Sequence, residues 1–175
     1  MKISYPRLIL SGVLACATAG CFYPPARKAP DDTHDRVVLA IPFDLAWDAV
    51  HTVIAANAYR IIAEDPNNGI IETQAAGGFT LKDADCGKLS AIALEYAAEP
   101  TPMSSAVYNF AIKPHGNEAT VITLQAVFTS PLQVPIHPMT AEQCVSRGVE
   151  ETRILKAIEK QARREHRPEF KPPAG

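Results

Sequence analysis

The sequence predicts an α+β domain, a single antiparallel sheet of five to six strands with two long amphipathic helices packed on one face. Three observations predict it. Apolar residues recur at the roughly 3.6-residue spacing of a helix in two separate stretches, one early and one at the end. Between them, runs of branched and aromatic residues alternate with the period of two that marks strands. Clusters of Pro, Gly, Asn and Asp separate those runs. The 175 residues are 47% hydrophobic and 21% charged, ordinary usage for one globular domain with accessories.

The chain opens with an export signal over residues 1–20. Lys2 and Arg7 supply positive charge, Leu8 to Ala15 form a short apolar run, and Ala17, Thr18, Ala19 and Gly20 are small. The run is too short to cross a hydrocarbon core of roughly 30 Å as a helix. The ending Thr18-Ala19-Gly20-Cys21 resembles the bacterial lipobox, with threonine where leucine is usual. That resemblance implies cleavage before Cys21 and acylation of its sulfur and amino group, including fatty acids such as palmitate. Val13-Leu14-Ala15-Cys16 is a competing site that would leave a very short apolar run. An ordinary cleaved signal, with Cys21 as a spare thiol, is the remaining alternative. Two or more acyl chains hold a protein to a bilayer where one binds marginally. Phe22 rather than Asp follows the cysteine, which by the same resemblance implies the outer membrane, facing the periplasm.

Residues 21–35 are Pro-rich and charged without period, and predict a tether. Residues 36–167 then form the domain. Val37 to Ile41 reads as a strand ended by Pro42. Phe43, Trp47, Val50, Ile54 and Ala58 place one apolar face on a helix over 43–57, with Asp44 near its N–H groups. Arg60–Glu64 and Ile70–Thr73 pair as a hairpin across Asp65-Pro66-Asn67-Asn68-Gly69. Residues 75–78 read as a weak flexible stretch. Strands follow at 88–96, 107–113 and 119–129. Residues 130–139 form a Pro-rich loop carrying Leu132, Val134 and Ile136, expected either to present them to a partner as an interaction loop or to fold inward over the core. The last helix starts near Thr140, capped with Gln143, or at the rival cap Ser146. Its inward face is Val149, Thr152, Leu155, Ile158 and Ala162, and Pro168 stops it. Residues 168–175 predict a disordered tail.

Composition bounds the chemistry. Removing residues 1–20 takes away Lys2 and Arg7 and no acid, leaving 15 basic and 19 acidic residues. A net charge of −4 excludes nucleic acid as a partner, because that needs a basic face. Cys16 leaves with the signal and Cys21 is assigned to lipid, so Cys86 and Cys144 remain as an even pair in an oxidising compartment. A disulfide is expected; a metal or redox pair is the alternative, without CxxC spacing or a nearby third ligand. No catalytic residue, cofactor or metal site is expected. Cys144-Val145-Ser146-Arg147-Gly148 is not a G-x-S-x-G elbow, and Ser146 reads better as a helix cap. Adjacent Glu150 and Glu151 point apart on a helix, and the five histidines fall in no triad or zinc pattern.

Three stretches carry a wider resemblance: Ile41–Val50, Tyr59–Asp65 with Gly69–Thr73, and Cys144–Glu150 entering the last helix. Over residues 36–160 the chain resembles the helix-grip domains of BamC-like envelope lipoproteins. The resemblance implies the fold; the anchor, the tether and the 130–139 loop lead to the expectation of a non-enzymatic, membrane-anchored protein-interaction or assembly module with an envelope protein partner. The alternative is a carrier of a small apolar or lipid ligand, held near Trp47, Phe110, Leu124 and Phe128.

Overall fold

A computed structural model describes residues 21–23 and 35–165, apart from 76, 92–93, 98–99, 101–102, 117 and 135–136. Over 21–23, 88–97 and 132–142 only the backbone is described. The expected signal (1–20), most of the tether and the tail lie outside those residues.

Among the described residues the fold is α+β, with an open antiparallel sheet of seven strands and two helices. The strands of that sheet are β2 (Arg36–Leu39), β3 (Arg60–Asp65), β4 (Ile70–Gln74), β5 (Ala84–Asp85), β8 (Ser105–His115), β9 (Ala119–Val134) and β10 (His137–Ser146). Their order is β3-β4-β8-β9-β10-β5, with β2 also on β9. A separate three-stranded sheet joins β1 (Cys21–Tyr23), β6 (Lys88–Ala91) and β7 (Leu94–Ala97). The helices are α1 (Phe43–Ala56) and α2 (Val149–Glu165).

Several expectations need correction. The count of five to six strands is too low. The run 88–96 divides into β6 and β7, which pair with each other. The first three tether residues form β1 and pair with β6. The expected loop over 130–139 is mostly strand, because β9 runs on through Ser130–Val134 and β10 begins at His137, with 135–136 outside the described residues. Thr140 and Gln143 therefore sit in a strand, and the last helix starts at Val149.

One side of the sheet is buried. Ile71 and Thr73 of β4 lie opposite Phe110 and Tyr108 of β8, and all four are inside. Phe110 and Ile112 in turn face Leu124 and Ile122 of β9, also buried. The alternate residues Val107, Asn109 and Ala111 stay half-exposed. This is the period-two alternation read in the sequence. Ala46, Ala49, Val50, Val53 and Ile54 of α1 are buried, as are Ile154, Leu155, Ile158 and Ala162 of α2, in the same core cluster. The expected α1 face was rotated. Phe43 and Trp47 sit half-buried at its edge, with rings 5.6 Å apart, while alanines take the closest positions. Small side chains let a helix approach the core where a ring would hold it off. Asp44 lies in the first turn, but Pro42 is the N-cap and no side chain caps the helix. In α2, Glu151 and Ile154 are buried in place of Val149 and Thr152. Ala58 falls beyond α1 with φ 54°.

The β3–β4 turn shows how the sequence dictates local form. The Asp65 carboxylate accepts from the backbone N–H groups of Asn67 (3.1 Å) and Asn68 (3.2 Å) and from Asn68 Nδ2 (2.7 Å). Those bonds, with the Asn68 side chain foremost, hold its carboxyl below the usual range. Gly69 closes the turn at φ +63°, and its carbonyl accepts from Ile112 N–H at 2.7 Å. A Cβ there would strike the Ile112 carbonyl oxygen. Gly69→Ala is expected to cost at least about 1–2 kcal/mol, the left-handed penalty alone, with the clash adding to it. Urea unfolding of the variant checks this, and an unchanged midpoint would refute it.

Candidate functional site

The Cys86–Cys144 disulfide forms, with S–S 2.01 Å and Cα–Cα 4.3 Å. Cys86 follows β5 and Cys144 lies in β10, where Val145 and Ser146 pair with Asp85 and Ala84. The bridge therefore fastens β10 to the short strand at the edge of the sheet. Both cysteines are buried.

Beyond this point β9 and β10 form an arm. The β8 ladder on β9 reaches only to Ser105 opposite Thr129. The β9–β10 ladder continues through Leu132 opposite Thr140 to Val134 opposite His137, with a register shift between those two pairs. Leu132 and Val134 thus belong to the arm by their backbone, whereas Ile136 lies outside the described residues. Cys21 is in β1 opposite Ser90, far along the chain from the bridge, and its side chain is not among those described. Of the sequence-derived residues, the structure brings Cys86 and Cys144 together among the described residues.

At the root of the arm, aromatic rings form a continuous series. Phe79 lies 4.8 Å from Phe128, Phe128 meets Tyr108 edge-on at 6.3 Å, and Tyr108 lies 4.9 Å from Tyr59. The Tyr59 hydroxyl accepts from Arg153 at 2.7 Å. Arg153 also donates to Glu150 at 2.7–3.2 Å and to Asn57 Oδ1 at 3.0 Å. The first turn of α2 is thereby tied to the end of α1. Burial pushes the Tyr108 hydroxyl far above its ordinary pKa, and the neighbouring Tyr59 adds to the effect. Burial raises Tyr59 as well, partly offset by Arg153. Hydrogen bonds to Glu150 lead in holding Arg153 protonated. The hydrogen bonds make this group a clasp between elements.

Ser146 does act at the helix start. Its hydroxyl donates to Glu151 Oε1 (2.5 Å) and its oxygen accepts from Gly148 N–H (3.0 Å). Glu151 is buried, and among the described residues its Oε2 has no hydrogen-bond partner. On α1, His51 lies beside Trp47, with ring centroids 5.3 Å apart. His51 Nε2 approaches Glu64 Oε1 to 3.1 Å without hydrogen-bond alignment, so the contact is electrostatic at most. Among the described residues no three His, Cys, Asp or Glu side chains stand together as a metal site. No described helix is long and apolar enough to cross a membrane.

Sequence reasoning missed Asn57, Tyr59, Tyr108 and Arg153. Only the Glu150–Arg153 spacing of three was legible. Arg153 and Tyr59 are 94 residues apart, and no local pattern joins them. A scan against protein-family models finds no match to the chain, and a search of the curated proteins finds none either.

Proposed function

We propose that this chain is a non-enzymatic lipoprotein of the bacterial envelope, held to the outer membrane through Cys21, whose helix-grip-like domain is a protein-interaction or assembly module. The two helices would lie on one face of the sheet, as in BamC-like domains, leaving the β9–β10 arm to meet a partner. The observation that carries the reading is this arm, which extends β9 past the end of the β8 ladder. A two-stranded ribbon is marginal by itself in water and offers strand edges to another chain. Its sequence places Leu132, Val134 and Ile136 within six residues of Pro131. The clasp and the disulfide fix the root, so a partner would meet a preset arm and lose less ordering entropy. The carrier alternative draws less support, because Phe110, Leu124 and Phe128 are wholly buried in one contiguous core.

The test is site-specific photocrosslinking in the native host, with the probe at Leu132 or Val134 and a control probe at exposed Lys113. A reproducible envelope protein captured from the arm and not from Lys113 is expected. Capture of nothing above the control would refute the module. Intact mass of the membrane-extracted protein checks the anchor separately, since residues 21–175 plus acyl groups are expected.

A further inference from the structure

We propose that the outer face of α2 is a cationic docking surface for anionic lipid headgroups. The inference goes beyond the anchor at Cys21 and does not need it. On α2, Ile154, Leu155, Ile158 and Ala162 are buried, while Lys156, Lys160, Arg163 and Arg164 are all exposed. At about 100° per residue those cations cluster on the side directly away from the core. They surround a shallow hollow of about 630 Å³ together with Glu159. Glu159 engages one of them, Arg163, at 2.7 Å.

The charge of the rest of the domain sharpens the contrast. Residues 35–147 carry 6 basic and 12 acidic side chains, whereas 156–164 carry 4 basic and 1 acidic. The charge is unevenly placed, and an anionic surface would attract residues 156–164 and repel residues 35–147. A protein interface takes most of its energy from large apolar or aromatic anchors seated in pockets. Apart from Val149 at its start, the exposed residues of α2 offer no apolar side chain, only charge on long stems. A row of mobile cations suits a plane of headgroups, where each Lys or Arg contributes about 1 kcal/mol, or roughly fivefold in partitioning.

The experiment uses the full chain carrying Cys21→Ala, so that no acyl group contributes. Flotation is measured with phosphatidylcholine vesicles, with and without phosphatidylglycerol. The parent is expected to float with the anionic vesicles far more than with the neutral ones, and less as salt rises. Lys156→Gln/Lys160→Gln, which leaves the Glu159–Arg163 pair in place, is expected to lower partitioning about fivefold per cation removed. Adding Arg163→Gln and Arg164→Gln lowers it further. Any contribution from residues 1–34 is common to parent and variants and cancels. Equal flotation of parent and variants, with matched circular dichroism, would overturn the proposal. Absence of anionic flotation by the parent would also overturn it, while acylation of Cys21 would stand or fall on its own mass measurement.

Discussion

Replacing Cys86 and Cys144 together by serine is expected to lower the unfolding free energy by about 4 kcal/mol. The bridge spans a sequence separation of 58 residues, and cross-linking a loop of that size removes about this much conformational freedom from the unfolded chain. Single domains are stable by roughly 5–15 kcal/mol, so the loss is a large fraction of the total. Native contacts around the bridge offer little replacement. The β5–β10 ladder has two register pairs. The nearby Arg147–Asp85 ion pair is 3.7 Å long with both side chains 43% exposed, and such pairs are screened by solvent. Urea unfolding of the oxidised protein and of the double serine variant makes the comparison. Equal midpoints would refute the expectation. A rise in the slope with denaturant would locate the effect in a less compact unfolded state.

The bridge was legible because it followed from bookkeeping: four cysteines, two assigned elsewhere, an even pair left. The antiparallel core was legible for a similar reason. From Val107 to Lys113 and from Val121 to Phe128 a period of two survives any tertiary arrangement, since it comes from the pleat itself. The arm was not legible. Pro131, Pro135 and Pro138 argue for a loop, because proline lacks the N–H that a central ladder uses. Pro131 is nevertheless in β9, beyond the β8 ladder, where among the described residues no strand pairs on that edge. Reading the loop there pulled the final helix forward to Thr140. The actual boundary is set by Gly148, at φ +76°, and by the Ser146 hydroxyl. The short strands β1 and β5 have three and two residues, too few for any period to register. The Tyr59–Arg153 clasp depends on α1 and α2 lying side by side, and no residue spacing within either segment encodes that.

Phe128→Ala is expected to cost about 3–5 kcal/mol, the range for removing a buried aromatic ring. Phe128 is fully buried and stands where two ladders meet, opposite Ala106 on β8 and Cys144 on β10. Its ring touches Phe79 and Tyr108, so deletion opens a cavity that neighbours must fill if the loss is to be small. They are poorly placed to do so. Tyr108 is held by its packing on Tyr59 and by the ladders of β8 with β4 and β9, and β10 is pinned by the bridge at Cys144, directly opposite Phe128. Trp47, half-buried at the rim, should cost less on the same truncation despite its larger ring. The serine double variant adds a sharper test. Without the bridge, β10 can shift toward the cavity, so Phe128→Ala should cost less in that background than in the oxidised protein. Residues in contact commonly couple by about 0.5–3 kcal/mol. Strictly additive losses, measured by urea unfolding of all four proteins, would instead mean that the bridge acts on the unfolded chain alone and leaves the native core around Phe128 unconstrained.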